Sequence, residues 1–471
     1  MKKVIFLAVM ISLLSGTIVA YEWEIEVVDP DLLNQHRHYL SLTLDNSDYP
    51  HIAYYIGRLN GQPPSTIRYA LWTGTDWEIS MVDQSNRTSV AVETTSLELD
   101  DDGRPHISYT GDDGDSYCLK YALWTGTYWE IQVVDNSSGW VGEWSSLKLD
   151  SLEYPHISYY DRDSFCLKYA SWNGINWEIE VVTDGFGWCT SLDLNSLEYP
   201  HIAYYGNGDY LNYTTWTGTG WEIDNIDYLG NVGSADISLE LDSNGYPHIS
   251  YYKIDNNLRH ARWDGLNWII TIVAYSYAGA WNSLALDSQN YPRIAYYKAG
   301  GPTWNVWYAY WDGSNWNLEP VNPPIGGGWH CSLALDSQDN PHIAYYDQNN
   351  DELEYASTII VGIEDEMTTS IDNTSVLLNN YPNPFKPSGA GRSPATTISY
   401  QLPEYSKVNL SVYNIKGKKV KTLVNEKLDA GTHQVVWNGK DENGKSVTSG
   451  IYFYKMNSGK FTSIKKMILL K

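Results

Sequence analysis

After the first twenty residues, apolar and polar positions alternate one for one in short runs broken by Gly, Asn, Asp, Ser and Pro, and they do not recur at helical spacing. This pattern predicts short β-strands joined by turns, and so an all-β chain. The runs also repeat. One phrase returns seven times: Tyr49-Pro-His-Ile-Ala-Tyr-Tyr55, Arg104-Pro-His-Ile-Ser-Tyr-Thr110, Tyr154-Pro-His-Ile-Ser-Tyr-Tyr160, then Tyr199 to Tyr205, Tyr246 to Tyr252, Tyr291 to Tyr297 and Asn340 to Tyr346. Its prolines, from Pro50 and Pro105 to Pro341, stand 45 to 55 residues apart, which is the period of a four-stranded propeller blade.

Each unit holds four strand-like runs, here named A to D. In the seventh unit A is Ser332 to Asp336, B is His342 to Tyr346 and C is Leu353 to Ala356; D is led by Trp, as in Trp129 to Asp135. The D runs begin at Trp23, Trp77, Trp129, Trp177, Trp221, Trp268 and Trp316. The first precedes any A run, and nothing led by Trp follows the last C run. The count closes only as a circle, so the expected fold is a seven-bladed β-propeller over residues 21–361. Its last blade would be completed by residues 23–29, which removes an open sheet edge.

Residues 1–20 carry Lys2 and Lys3, an apolar stretch and then small residues, the pattern of a signal peptide. The expected location is therefore secreted or at the outer cell surface, with no transmembrane segment. Residues 362–379 read as a polar linker. The stretch 380–471 reads as a small β-sandwich, with alternating strands near Val408 to Tyr413, Gln434 to Trp437 and Ile451 to Met456 joined by Gly-bearing turns.

That last stretch also carries Tyr381-Pro-Asn-Pro-Phe385, Val412-Tyr-Asn-Ile-Lys-Gly417, Val436-Trp-Asn-Gly439, Asp441-Glu-Asn-Gly444, Ser449-Gly-Ile-Tyr-Phe453 and Lys465-Lys-Met-Ile-Leu-Leu-Lys471. In these it resembles the type A C-terminal sorting domain of the type IX secretion system, close to the immunoglobulin-like module of flagellar hook-capping proteins. The resemblance implies type IX export machinery as a partner, surface delivery and, in many such proteins, cleavage of the domain.

Charge sharpens the division. From Ser357 onward 15 Lys and Arg face 9 Asp and Glu, which leaves 16 basic and 48 acidic residues before it. An acidic body repels phosphates, which argues against nucleic acid as a partner. Cys118, Cys166, Cys189 and Cys331 are too few for a disulfide scaffold, lack metal-ligand spacing and read as packing thiols.

Two kinds of constellation call for chemistry. Six histidines share one repeat position, with Arg293 in the remaining unit, and six residues before each stands an acid or amide. The pairs include Asp45 with His51, Asp100 with His106, Asp150 with His156 and Asp336 with His342. The exchange of His for Arg keeps a partner for the acid but would lose a metal ligand, so these pairs read as structural. A Ser four residues before each acid would lie about 13 Å along the strand, too far for a catalytic triad within one blade.

Variation between units points instead to the blade ends. Loops before strand A carry Trp144, Trp188, Trp281 and Trp329, while B–C loops carry Asp161, Asp163 and Asp347, and propeller topology opens both sets on one end. Aromatic platforms beside carboxylates suit sugar rings; the same Trp residues could equally pack on their own blades. Asp347-Gln-Asn-Asn-Asp351 has the alternating oxygens of a calcium loop but lacks its Gly and closing Glu.

The repeat portion resembles sialidase-like and lectin-like secreted propellers, which implies a glycan ligand or glycosidase chemistry. It departs from the enzymes: the Ser-x-Asp-x-Gly-x-Thr-Trp box is absent, and no arginine trio is marked. The expectation is a non-catalytic binding module for a glycan or surface protein, with a sialidase-type hydrolase or lyase, or a purely structural surface protein, as the alternatives.

Overall fold

In the computed structural model, residues 4–7, 20–30, 32, 39–57, 65–85, 94–230, 236–299, 305–321, 327–361, 376–381, 396–402, 405–414, 416–429, 431–458 and 461–469 are described. Most of residues 1–20, most of 362–379 and the Pro-Asn-Pro-Phe run after Tyr381 lie outside them. The described residues contain no helix, and so none long and apolar enough to cross a membrane. The chain divides into two units, Met1–Ile363 and Glu364–Lys471.

In the first unit the repeat becomes one five-stranded and six four-stranded antiparallel sheets, each resembling a propeller blade. The sheets are numbered here by their strand A, in chain order. Strand B of the third sheet, Pro155–Asp161, shows the packing logic. Its neighbours are Val141–Leu149 and Cys166–Trp172, and Ile157, Ser158, Tyr159 and Tyr160 are all buried. Both faces of the strand therefore lie inside, as stacked sheets require, and small residues alternate with large ones so that faces can interlock.

The repeated acid works twice. Asp150 Oδ1 accepts the N–H groups of Leu152 and Tyr154, each at 2.8 Å, and so pins its own A–B turn. Its Oδ2 lies 3.4 Å from His156 Nε2, while His156 Nδ1 meets the Tyr169 hydroxyl. Asp100 and His106 repeat the 3.4 Å contact. Burial holds His156 and His106 below their ordinary pKa despite the acid beside them.

Three copies depart from the expected pairing, one of them Asp242 and His248, which make no ion pair or hydrogen bond with each other. Asp336 and His342 stand 3.6 Å apart, and Asp45 and His51 stand 3.8 Å apart, both beyond hydrogen-bond reach. The departure is marked at His51: it is buried, and its Nε2 has no hydrogen-bond partner among the described residues, though it stays within ion-pair distance of Asp45. Both ends keep the anchors seen in the third sheet. His51 Nδ1 meets the Tyr69 hydroxyl, while Asp45 Oδ1 is fixed by the N–H groups of Ser47 (2.7 Å) and Tyr49 (2.9 Å) of its own turn. His51 is anchored by Tyr69, and against the opposing effect of burial it helps to hold the Asp45 carboxyl below its ordinary range.

The repeated Ser joins neighbouring sheets. Ser41 Oγ accepts Leu97 N–H (3.1 Å), and Ser96, Ser146, Ser191, Ser238 and Ser283 accept the N–H of Leu147, Leu192, Leu239, Leu284 and Leu333 in turn. Ser332 then accepts Leu42 N–H (3.0 Å), which brings the series back to the first sheet. A second series runs through the tryptophans that open the D strands. Trp77, Trp129, Trp177, Trp221, Trp268 and Trp316 stand edge-on to Tyr355, Tyr69, Tyr121, Tyr169, Tyr213 and His260 of the sheet before, and Trp23 to Tyr308.

Trp23 belongs to Ala20–Asp29, which pairs antiparallel with Glu352–Val361, the strand after Pro341–Asp347. On its other edge it pairs with Val4–Leu7, inside the stretch read as a signal peptide.

The second unit has a three-stranded sheet (Val376–Tyr381, Thr396–Leu402, Gly431–Trp437) and a four-stranded sheet (Lys419–Leu428, Ser406–Asn414, Gly450–Ser458, Phe461–Leu469). Their shared core includes Ile398, Tyr400, Leu410, Trp437, Tyr454 and Met467. Its first strand begins at Val376, ahead of the sequence boundary at 380.

Candidate functional site

The inward strands of the first unit line a channel of about 360 Å³. The variable position between their two Leu residues points into it. Lys148 Nζ lies 3.0 Å from Glu98 and 3.9 Å from Glu240. Burial opposes the charge on Lys148, but Glu240 and Glu98 outweigh it and hold the ammonium above its ordinary range. Burial pushes Glu240 up to about 7, with Asp193 and Glu98 adding to the rise and Lys148 opposing it.

At one end the channel opens into a cavity of about 150 Å³ with two tiers of lining. The tier nearer the rim takes one residue from each sheet: Tyr39, Thr94, Trp144, Cys189, Asp236, Trp281 and His330. Trp144, Cys189, Trp281 and His330 have φ of about +50° (50°, 54°, 49° and 50°), and the A–B register slips beside each of them. Bulky L-residues disfavour that conformation, and such bulges re-aim side chains. Neighbouring sheets lock the tier: Thr190 donates to the Trp144 carbonyl (2.8 Å), Asn282 to the Asp236 carbonyl (2.7 Å) and Cys331 to the Trp281 carbonyl (2.7 Å).

Tyr39, His330 and Trp281 form a continuous aromatic wall, with ring centroids 4.4 and 4.7 Å apart. Beside it, Asp236 Oδ2 accepts the Trp281 N–H at 2.6 Å. Burial raises the Asp236 carboxyl to about 6. The site thus presents aromatic faces, one titrating carboxylate and backbone-locked geometry.

The tryptophans expected from the sequence divide into two layers. Trp144 and Trp281 line the cavity. Trp188 stacks behind Trp144 (5.6 Å, 27°) and Trp329 behind Trp281 (5.2 Å, 29°), so these two serve as backing.

The expected acids lie elsewhere. Asp161 and Asp347 are the last residues of B strands and turn inward. Asp161 pairs with Lys168 at 2.7 Å and accepts from Ser138 and Ser164, whereas Asp347 accepts from Asn349 and Asn350 and so braces the loop read as calcium-like. Asp163 is exposed. Among the described residues no group of three or more His, Cys, Asp or Glu is placed to hold a metal ion. All four cysteines are free and buried. Asp236, which sequence reading passed over, is found by counting two residues back from the repeated Ser238.

No curated protein matches the chain. The family model of the FlgD Ig-like domain matches residues 388–460. Among solved structures, the chain is similar to a polysaccharide lyase of family PL25, an ulvan lyase bound to a GlcA–Rha3S glycan, with 14% identity and TM-score 0.48 over 71% of this chain and 94% of that one. It is similar to the SapL1 lectin in complex with alpha methyl fucoside, with 15% identity and TM-score 0.44 over 62% and 99%. It is also similar to the NanB sialidase from Streptococcus pneumoniae, with 13% identity and TM-score 0.42 over 71% and 70%. The neighbours are thus lectins, lyases and sialidases, and the C-terminal module is FlgD-Ig-like.

Proposed function

We propose that the first unit is a closed seven-bladed propeller that binds carbohydrate at its axial mouth, and that the protein works as a binding or adhesion module outside the cell. One observation carries this reading: Trp144 and Trp281 are held at the rim by positive-φ bulges, with Asp236 locked to Trp281. A flat apolar face beside a hydrogen-bonding carboxylate suits a sugar ring. Binding is favoured over hydrolysis because the rim tier holds one carboxylate, Asp236, while Glu98 and Glu240 lie in the channel beside Lys148, where a glycosidase needs two acids flanking one bond.

A glycan-array screen of residues 20–363 tests the reading, with at least one glycan captured and none turned over. No captured glycan would overturn it. The Asp236 carboxyl also sets a pH signature. Its folded value is raised, so the folded state holds its proton up to about pH 6. A sugar hydroxyl donating to the carboxylate then binds more tightly as pH rises through 6, and Asp236→Asn flattens that dependence.

For the C-terminal unit we propose type IX export, with surface delivery after removal of the leader at residues 1–20. Removing residues 446–471 in a host with that system is expected to leave the protein in the periplasm. Unchanged surface delivery would contradict the assignment.

A further inference from the structure

A second cavity, of about 460 Å³, lies between the fifth and sixth sheets, at the end of strand B opposite the mouth. It opens where the repeat breaks its own rules. In five sheets the residue after the leading Trp of strand D is acidic (Glu24, Glu78, Glu130, Glu178, Glu222), and in the sixth it is Asn317. In the fifth sheet it is Ile269, and its cross-strand partner is Arg262, where the other sheets place Ser357, Leu71, Leu123, Ser171, Thr215 and Tyr310. The acid that five sheets carry here is gone and an Arg lines the groove instead, on a body whose charge is otherwise strongly negative.

Two further side chains are shortened here. His260 replaces the Tyr that elsewhere meets the strand-B His, and its Nε2 lies 3.1 Å from His248 Nδ1. Thr271 stands where Gln132 and Glu180 accept the indole N–H of Trp177 (3.1 Å) and Trp221 (3.3 Å). The result is a pocket with Trp311 and Trp316 as flat walls and a size typical of ligand sites.

Among the described lining residues Arg262 is the one permanent cation and Asp242 the one acid. Burial drives His248 down to about 4 and His260 well below its ordinary value, so both are neutral at physiological pH. Asp242 Oδ1 is taken up by the N–H groups of Asn244 and Tyr246, each at 2.8 Å. Arg262 is exposed and makes no ion pair among the described residues. A guanidinium with a free fork recognises a carboxylate by two parallel hydrogen bonds.

We propose that this groove is a second ligand site, which takes a small carboxylate carried on a flat ring, the acid at Arg262 and the ring against Trp316 and Trp311. It shares no residue with the axial mouth and stands independently of the function proposed there. Such a ring is either aromatic or a sugar acid, and the test separates the two. Calorimetry on the full chain would compare 4-hydroxybenzoate with 4-hydroxybenzamide, and methyl glucuronide with methyl glucoside.

At least one acid is expected to bind about tenfold more tightly than its neutral counterpart. Arg262→Gln should erase that preference with no change in melting temperature. His260→Tyr, which restores the ring found in other sheets, should abolish binding while melting no lower than the natural chain. Trp281→Ala, at the mouth, should leave it intact. Failure of both acids to bind, or equal binding by Arg262→Gln, would overturn the proposal.

Discussion

A protein lacking residues 1–31 will melt more than about 10 °C below the full chain and will self-associate. The strand it loses, Ala20–Asp29, holds Trp23, which is fully buried against Tyr308. Loss of a buried Trp side chain alone costs about 3–5 kcal/mol through the cavity it leaves. The same strand ends in Asp29, which accepts the Tyr54 hydroxyl (2.7 Å) and the Arg68 guanidinium (2.8 Å) of the first sheet. Both partners would be orphaned, and Glu352–Val361 would become an unpaired edge. Thermal scans with size-exclusion chromatography check this. A truncated protein that melts within a few degrees of the full chain and stays monomeric would show that the strand does not close the ring.

Lys168→Ala should destabilise the protein by about 3–5 kcal/mol, because it strips the counter-charge from two buried carboxylates. The ammonium lies 2.7 Å from Asp161 and 3.0 Å from Asp135, whose side chains are 0% and 2% exposed. Burial opposes ionisation of both acids. Hydrogen bonds from Ser137, Tyr159 and Lys168 hold Asp135 below its ordinary range all the same, and Lys168, Ser164 and Ser138 do so for Asp161. Because the folded values are depressed, this contribution is present above the ordinary carboxylate range and fades as pH falls below it. Lys120→Ala removes a more exposed copy of the pair, with side chains 12% and 19% exposed, and should cost clearly less. Urea denaturation of both variants measures the difference. Equal, small losses would mean that the buried acids find other partners.

Much of the fold was legible because the repeat says the same thing seven times. Strand B and the small-over-large alternation follow from spacing within one unit, whereas spacing shows the acid only as a partner for His and not its hold on its own turn. Spacing could not say how tightly each acid meets its histidine: His156 and His106 stand 3.4 Å from theirs and His51 3.8 Å from its own, although a Tyr hydroxyl anchors all three rings. The role of the repeated Ser was not legible, because its partner is a Leu N–H one whole unit away, and no period within a unit points to it. Sequence could name Trp144 and Trp281 as variable and aromatic, but not that positive-φ bulges turn them to the axis while Trp188 and Trp329 fall behind them. Asp161 and Asp347 misled for a related reason. Each stands at a strand end beside turn residues, where composition suggests an exposed loop and the side chain instead turns inward onto Lys168 or its own turn. Asp236 was missed because its sheet has no Trp before strand A to draw attention to that position.

The claim that the mouth binds glycan through its aromatic rim is tested most directly by calorimetry with a glycan captured by the first unit. The natural unit would be compared with Trp281→Ala and with His260→Tyr at the far end. The account predicts that Trp281→Ala weakens binding by about 1 kcal/mol or more, roughly fivefold, with the fold retained, while His260→Tyr binds as the natural unit does. Undiminished affinity in Trp281→Ala would contradict it.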